Sequence, residues 1–184
     1  MAEKEIQKIK KIPYVIIRPR GLFGIGDTSI IPRIINANRK IGIPLFNDGK
    51  NVVDITCVEN AALALRLAVE NKNANGNIYN ITNDEPREFK DILEELFEKI
   101  DEKPKYFRVN LKVMYAIASI VESVYKIFHI YREPIFTKYN ICTLGYSQTL
   151  NIKKAKDDLN YIPKISLSEG IKKYAKNYRE NNIL

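Results

Sequence analysis

The sequence predicts an α/β fold with at least one strand buried in a parallel sheet. The segment YVII (14–17) is apolar at every position, which is typical of a strand covered on both faces. The segments VVDITCV (52–58) and GNIYNIT (76–82) also have strand character, and a helical pattern lies between them. This alternation of strand and helix is typical of α/β proteins.

Two helices are predicted around the first strand. Residues 2–11 have the apolar spacing of an amphipathic helix, which Pro13 ends. The next helix is expected over about 30–40, where Pro32 is tolerated in the first turn. Its N-terminus offers three possible capping residues, which are Asp27, Thr28 and Ser29.

Further elements alternate through the middle of the chain. Residues 59–71 form a predicted helix with small alanines suited to close packing, and residues 89–100 have clear amphipathic spacing. A short strand is predicted at KYFRV (105–109). Two helices are expected near the end, over 151–163 and 166–178, the second opening with Ser166 and Glu169 in the spacing of a capping box.

The segment LKVMYAIASIVESVYKIFHI (111–130) is apolar on nearly all sides. A membrane-spanning helix needs about 20 apolar residues with few charges. Lys112, Glu122 and Lys126 interrupt this run. We therefore expect a buried helix, or one at a membrane surface, rather than a helix that crosses a membrane.

The composition is ordinary for a globular protein with a real core. The 184 residues are 45% hydrophobic and 28% charged, which fits one domain or slightly more. The formal net charge of +8 could indicate nucleic acid or an anionic membrane as a partner. Because the lysines are interleaved with acidic residues, we expect a solvated surface instead.

The cysteine and histidine pattern predicts no metal site. Cys57 and Cys142 lie far apart without metal-ligand spacing, and His129 is the only histidine. His129 could line a pocket with Tyr131 and Arg132, or could stand at a helix C-terminus. Two lone cysteines and an N-terminus without an apolar export signal predict a cytoplasmic protein.

The stretch RPRGLFGIGD (18–27) does not fit a dinucleotide-binding loop. Such a loop reads G-x-G-x-x-G directly after a strand, whereas these glycines are spaced G-x-x-G-x-G and follow Arg18 and Pro19. Asp27 would also place a carboxylate near the helix N-terminus, where a phosphate would otherwise lie. As a pyrophosphate cradle, this segment fails.

Three motifs, in order, instead carry a family resemblance. The pattern R-P-x-x-x-[YF]-G-x-G-D is met by Arg18, Pro19, Phe23, Gly24, Gly26 and Asp27. The pattern V-[DE]-[DN]-x-A is met by Val58, Glu59, Asn60 and Ala62. The pattern K-A-x-x-x-L-G-[YF]-x-P is met by Lys154, Ala155, Leu159, Tyr161 and Pro163, with Asn160 in place of the usual glycine.

Together these motifs resemble the C-terminal half of extended short-chain dehydrogenases/reductases. Within the NAD-dependent epimerase/dehydratase superfamily, the sequence is most similar to the 3β-hydroxysteroid dehydrogenase and dihydroflavonol-reductase-like subgroup. The resemblance implies part of a Rossmann-type parallel sheet plus a mostly helical substrate-binding subdomain, without the N-terminal nucleotide-binding half. Residues 1–29 would be a remnant of the Rossmann core, and residues 30–184 a mixed substrate-binding region with late core strands.

The resemblance also implies a cofactor contact. Four residues would touch NAD or NADP near its nicotinamide end, mainly through backbone and ring contacts: Pro19, Gly21, Leu22 and Phe23. Arg18 would hold the strand end by hydrogen bonds. The alternative is a simple strand-to-helix turn in which the glycines only permit unusual backbone angles.

The family's catalytic pair is missing from this sequence. These enzymes use Tyr-x-x-x-Lys, in which the tyrosine is the general acid/base and the lysine lowers its pKa and holds the ribose. At that spacing, Tyr14, Tyr125 and Tyr174 are followed by Arg18, His129 and Tyr178. Met1 falls about where the lysine is expected. We therefore assign no catalytic residue and expect no catalysis by this chain alone.

The predicted function is the substrate-binding portion of an NAD(P)-dependent oxidoreductase or epimerase. In the complete enzyme, a hydride would pass between the nicotinamide and a secondary alcohol or ketone, with a hydrophobic substrate favoured. This chain alone would bind no cofactor tightly, and its partner would be the missing N-terminal half or a second copy.

An alternative function is a non-catalytic module whose basic surface binds nucleic acid or an anionic membrane. The candidate segments for nucleic acid are KKAK (153–156) and KKYAKNYR (172–179). Tyr174 and Tyr178 are expected to pack inward rather than to stack on bases.

Overall fold

The computed structural model describes residues 2–9, 11–130, 134 and 137–182 of the chain. The chain forms two compact units. Unit 1 comprises Met1–Arg33, Asp54–Pro86 and Thr149–Leu184, and unit 2 comprises Ile34–Val53 and Arg87–Gln148. The chain therefore leaves unit 1 and returns to it twice.

Strand pairing confirms the predicted α/β class with parallel strands. In unit 1, β1 (Ile16–Pro19) lies parallel to β6 (Ile78–Ile81), and β2 (Leu22–Phe23) lies parallel to β5 (Thr56–Cys57). In unit 2, β3 (Ile43–Leu45) lies parallel to β8 (Tyr106–Arg108), and β4 (Val52–Val53) lies antiparallel to β7 (Arg87–Glu88).

The helices follow the sequence-based expectations closely. Those in the described residues are α1 (Ala2–Lys8), α2 (Ile30–Lys40), α3 (Val58–Glu70), α4 (Phe89–Lys99), α5 (Leu111–Ile127), α6 (Lys138–Gly145), α7 (Lys153–Leu159) and α8 (Leu167–Asn182). The predicted helix over 2–11 is shorter, and Lys10 within it lies outside the described residues. Helix α6 was not predicted. The apolar segment 111–130 was expected to form a helix that is buried or lies at a membrane surface; Ala118 is the one buried residue among those of α5, so a buried helix is wrong for most of its length.

Two strand predictions need correction. The first strand was expected at 14–17, buried on both faces, but β1 covers Ile16–Pro19, with Ile16 and Ile17 half-buried and its last two residues exposed. Its start is set by pairing, since the Ile16 N–H donates to the Asn77 carbonyl (3.0 Å). The segment VVDITCV is two short strands, β4 and β5, in different units.

The core of unit 1 lies where α3 and α7 pack on β6. Small side chains allow this close approach, because Ala64, Ala68 and Ala155 are almost fully buried beside Tyr79 and Ile81. Of the alanines expected to pack closely, Ala62 is the exception and is exposed.

Unit 2 has separate apolar clusters. Helix α4 buries one face through Ile92, Leu93, Leu96 and Phe97, in agreement with its predicted amphipathic spacing. Helices α5 and α6 contribute Ala118 and Ile141 to a second cluster with Phe46.

Candidate functional site

The glycine segment begins at the carboxyl end of β1 in unit 1. Beyond Pro19, the Arg20 N–H donates to the Ile81 carbonyl (3.0 Å), so the chain follows β6 for one more residue. The chain then turns at Gly21, whose carbonyl accepts from the Thr56 N–H (3.1 Å), and continues as β2. The turn at residues 19–23 therefore connects the end of β1, which pairs with β6, to β2, which pairs with β5.

The four residues predicted to contact the cofactor lie together in the turn, but they differ in how far their side chains are exposed. Pro19 and Leu22 are exposed, Leu22 to 41%, and Gly21 is half-buried. Phe23 is only 2% exposed, and its ring packs inward toward Gly170 of α8. In this conformation the Phe23 ring cannot contact a ligand at the turn. Its backbone is still part of the turn.

The backbone of the turn, and of the residue directly after it, requires glycine at two positions. Gly21 has a φ of +53°, and a Cβ there would lie 2.9 Å from Ile55 Cγ2. At Gly24, φ is +148° and a Cβ would lie 2.5 Å from Val58 Cγ1. Both positions combine an unusual φ with a close neighbour, so these glycines shape the turn.

Asp27 occupies the N-terminus of α2. Its Oδ1 accepts from the N–H groups of Ser29 (2.7 Å) and Ile30 (3.0 Å), and its Oδ2 accepts from Ile31 (2.8 Å). The N–H groups that could bind a phosphate are therefore satisfied by the protein's own carboxylate. This agrees with the sequence-based argument that Asp27 takes the position where a phosphate would otherwise lie.

Arg18 pairs with the N-terminal helix. Its Nε donates to Glu3 Oε1 (2.8 Å), while Nη2 pairs with Glu3 Oε2. The bidentate contact connects β1 to α1, both of which belong to unit 1.

Two polar side chains next to the turn make hydrogen bonds that sequence reasoning missed. The Thr56 hydroxyl donates to the Arg20 carbonyl (2.6 Å). Asp54 is 4% exposed and accepts from the Leu150 N–H (2.8 Å). Burial raises the pKa of this carboxyl, and the negative charge of Asp84 adds to the effect. In the sequence, these contacts are indicated only by the position of Asp54 and Thr56 within an otherwise apolar segment.

The second motif is a buried amide network. Asn60 donates to Asn83 Oδ1 (2.8 Å) and to the Ile165 carbonyl (2.7 Å), and it accepts from the N–H groups of Lys164 and Ile165. Asn83 in turn accepts from the Cys57 N–H (2.9 Å). Because every polar atom of Asn60 has a partner, the motif fastens the segment before α8 to the start of α3.

The third motif also has a structural role. The Tyr161 hydroxyl donates to the Thr82 carbonyl (3.0 Å) in a fully buried position, and burial raises the pKa of this phenol. Lys154 pairs with Asp158, whose Oδ2 accepts from the Tyr79 hydroxyl (3.1 Å). These contacts hold α7 against β6.

Most lysines of the two lysine-rich segments form ion pairs within the chain. Lys153, Lys154 and Lys156 pair with Asp157, Asp158 and Asp84, in that order. Lys173 lies 3.4 Å from Glu59, and Tyr174 stacks on Tyr178 with ring centroids 6.1 Å apart while being 7% exposed. The predicted inward packing of Tyr174 is confirmed, so neither segment forms a concentrated cationic face with free rings.

Three other features of the sequence have the following outcomes. His129 follows α5 with a φ of +50° and is exposed, while Tyr131 and Arg132 lie outside the described residues. Within the described ranges, no three His, Cys, Asp or Glu side chains are grouped to hold a metal ion. None of the described helices is long and apolar enough to cross a membrane.

Comparison with known proteins decides the family. The sequence model of the 3-beta hydroxysteroid dehydrogenase/isomerase family matches residues 2–112, which is more than half of the chain and includes the first two motifs. The chain belongs to this family. The resemblance expected from the three motifs is therefore confirmed.

Two curated relatives of this family member are named as a reductase and as a dehydrogenase. The 2-alkyl-3-oxoalkanoate reductase of Stenotrophomonas maltophilia is 29% identical over 163 residues, which cover 86% of this chain and 49% of the reductase. The 3beta-hydroxysteroid-dehydrogenase/decarboxylase isoform 1 of Arabidopsis thaliana is 35% identical over 170 residues, which cover 85% of this chain and 38% of the plant protein. The chain spans about half the length of these relatives, or less.

Solved structures agree on the fold. A UDP-glucuronic acid 4-epimerase from Bacillus cereus, crystallised with UDP-glucuronic acid and NAD, superposes with a TM-score of 0.64 at 20% identity. The match covers 98% of this chain and 49% of the epimerase. At this identity the likeness concerns the fold alone, and it confirms the predicted Rossmann-type α/β fold.

Proposed function

We propose that this chain is the substrate-binding portion of an NAD(P)-dependent oxidoreductase or epimerase acting on a secondary alcohol or ketone. The observation that carries the proposal is the turn at residues 19–23, where Pro19 and Leu22 are exposed at the carboxyl end of a parallel strand in a member of a dehydrogenase family. In open α/β sheets, ligands bind beyond the carboxyl ends of the strands. The turn is therefore where a cofactor contact is expected.

The residues of the turn fit a nicotinamide cofactor. Pro19 and Leu22 would contact it through exposed apolar side chains, and Gly21 and Phe23 through their backbone. Close approach is favoured by Gly21, since no Cβ stands between its backbone and a ligand. When bound, the nicotinamide accepts or supplies the hydride that the substrate carbon exchanges.

In this proposal, the residues that carry out the acid/base chemistry belong to polypeptide outside this chain. Residues 1–29 would complete the Rossmann core of the whole enzyme, and residues 30–184 would form its substrate-binding region with late core strands. The catalytic tyrosine and lysine, and the glycine-rich nucleotide loop, would come from the N-terminal half. We accordingly propose that NAD or NADP binds tightly only to the complete enzyme, and that the enzyme is cytoplasmic.

A hydrophobic substrate is part of the proposal. The matching family and the plant relative are both named for hydroxysteroids, and the bacterial relative for an alkylated oxoalkanoate. These are secondary alcohols or ketones on largely apolar carbon skeletons. They favour such a substrate over a nucleotide sugar.

The first test reads the coding DNA directly upstream of Met1. An in-frame Tyr-x-x-x-Lys near the junction, with a glycine-rich nucleotide loop further upstream, would support the proposal. An in-frame stop codon followed by unrelated sequence would contradict it in its simple form.

A second test uses the enzyme that includes the upstream half. Replacing Leu22 by Glu should raise the KM for NAD(P) by about tenfold, because an exposed apolar contact becomes a charge beside the cofactor. Leu65→Glu is the matched control, since Leu65 is 54% exposed on α3 and is not one of the residues of the turn. An equal KM in both variants would exclude Leu22 from the cofactor site.

A further inference from the structure

Thr56 of β5 is a fully buried polar residue that contacts the turn at residues 19–23 with both of its hydrogen-bond donors. Its N–H donates to the Gly21 carbonyl (3.1 Å), and its hydroxyl donates to the Arg20 carbonyl (2.6 Å). The hydroxyl also lies 3.2 Å from the Ile81 carbonyl of β6. Because a hydroxyl has a single proton, the shorter contact, to Arg20, is its main hydrogen bond.

These two hydrogen bonds fix the direction of two consecutive peptide groups of the turn. In a trans peptide, the carbonyl and the N–H point in opposite directions. The Arg20 and Gly21 carbonyls both point toward Thr56. The N–H groups of the residues that follow them, Gly21 and Leu22, therefore point away from Thr56.

The space between the turn and β5 is filled by protein. A Cβ at Gly21 would lie 2.9 Å from Ile55 Cγ2 and 3.4 Å from the Asp54 carbonyl oxygen. The Ile55 carbonyl accepts from the Asn83 N–H (3.1 Å), so this segment is also held from the side of β6. A ligand of the turn therefore has to approach from a side other than that of β5.

We propose that Thr56 is a positioning residue for the cofactor, whose hydroxyl holds the Arg20–Gly21 peptide in the orientation in which the Gly21 backbone contacts NAD or NADP. The role rests on the proposed function, since it requires the turn to contact the cofactor. Thr56 acts through the turn because it is itself fully buried. Glycine makes such a restraint useful, since its backbone adopts more conformations than that of other residues. A binding group that is already oriented loses less conformational entropy when the ligand binds.

The hydroxyl is not required for the pairing of the strands. Pairing of β5 with β2 uses the backbone of Thr56, which valine would also supply. The Ile81 carbonyl already accepts from the Arg20 N–H (3.0 Å). What the hydroxyl adds is the bond to the Arg20 carbonyl in the turn.

The first test measures hydrogen exchange of single backbone amides in the full chain, with Thr56→Val compared with the wild type. The Arg20 N–H lies beside the turn and should exchange about tenfold faster in the variant, because local opening of the turn becomes easier. The Ile16 N–H, which donates to the Asn77 carbonyl at the other end of β1, should keep its exchange rate. Equal acceleration at both amides would overturn the proposal, since the hydroxyl would then stabilise unit 1 as a whole.

The second test measures the dissociation constant of NADH or NADPH from the enzyme that includes the upstream half, through the nicotinamide fluorescence. Thr56→Val should raise this constant about tenfold, the effect of one lost hydrogen bond. The kcat at saturating cofactor should change by less than about twofold. Thr56→Ser keeps the hydroxyl and should remain within about twofold of the wild-type constant. The control is Tyr79→Phe, which removes a fully buried residue's hydroxyl that donates to Asp158 and should leave the constant unchanged.

The variant Leu22→Glu separates a failure of this role from a failure of the proposed function. A dissociation constant that rises in Leu22→Glu but not in Thr56→Val would overturn the positioning role and leave the cofactor site in place. A constant that is unchanged in both variants would exclude the turn from the cofactor site, and the positioning role would fall with it. An equal rise in Thr56→Val and Thr56→Ser would also overturn the role, because side-chain packing rather than the hydroxyl would then be responsible.

Discussion

Asn160 stands where the family motif has glycine, and its backbone explains the substitution. It follows the last residue of α7 with φ of 52° and ψ of 36°, in the left-handed region. The N–H groups of Asn160 and of the next residue, Tyr161, both donate to the Ala155 carbonyl, that of Tyr161 at 3.2 Å, so the end of the helix is closed by hydrogen bonds. Asparagine adopts this conformation more readily than other residues with a side chain, so the motif keeps its geometry.

This conformation predicts the effect of two substitutions. Asn160→Gly should leave the free energy of unfolding unchanged or slightly raised, because glycine also favours positive φ. Asn160→Ala should lower it by about 1 kcal/mol, the cost of a Cβ in the left-handed region. Urea unfolding followed by circular dichroism measures both values. Equal midpoints for the two variants would show that the left-handed cap has no energetic role.

At the scale of elements, α8 packs closely on β2 and β5 through a glycine. A Cβ at Gly170 would lie 2.3 Å from Cys57 Sγ and 3.1 Å from the Phe23 ring. This approach explains why Phe23 and Cys57 are almost fully buried. The inward position of the Phe23 ring therefore depends on α8. This helix begins at Leu167, which is 144 residues after Phe23 in the chain.

The close approach predicts that Gly170→Ala lowers the free energy of unfolding by about 1–3 kcal/mol, as overpacking does in tight cores. The double variant Gly170→Ala/Cys57→Ala should recover part of this loss, because the new methyl group takes the place of the removed sulfur. Chemical denaturation of the four proteins in the cycle gives the coupling energy. Lys172→Ala, at an exposed position of α8, is the control. Additive effects of the two changes would refute the proposed contact.

For the molecule as a whole, burial of weak acids links stability to alkaline pH. Burial raises the pKa of the Cys57 thiol to about 12, and it raises the pKa values of Tyr79, Tyr106 and Tyr174 to about 12 as well. The folded chain keeps these protons at a pH where the unfolded chain has lost them. Folding is then opposed by deprotonation.

Stability should therefore be unaffected by these groups below about pH 9 and should fall as the pH rises toward 12. Above its unfolded pKa, Cys57 alone adds up to about 1.4 kcal/mol per pH unit to the slope. Urea unfolding at about pH 8 and about pH 11 measures the fall. Cys57→Ala should make the slope shallower, and an unchanged slope would show that Cys57 does not contribute to it.

Elements with local signals were predictable, and those that depend on distant partners were not. The helix at 30–40 was predicted because its capping residue, Asp27, lies within a few residues of the N–H groups that it binds. The strand VVDITCV was predicted as continuous, yet it divides at Asp54, whose carboxylate binds the backbone of Leu150 far along the chain. A local apolar pattern contains no information about that contact.

The sequence by itself determined the α/β class, the helices with their caps and, through three short motifs, the family. These features depend on side-chain periodicity and on hydrogen bonds between near neighbours in the chain. Only the tertiary structure decided that the Phe23 ring is buried while Leu22 is exposed, and that Ile117 and Ile120 of α5 are exposed. An apolar residue can be buried or exposed with the same neighbours in sequence, because burial is set by which distant elements pack against it.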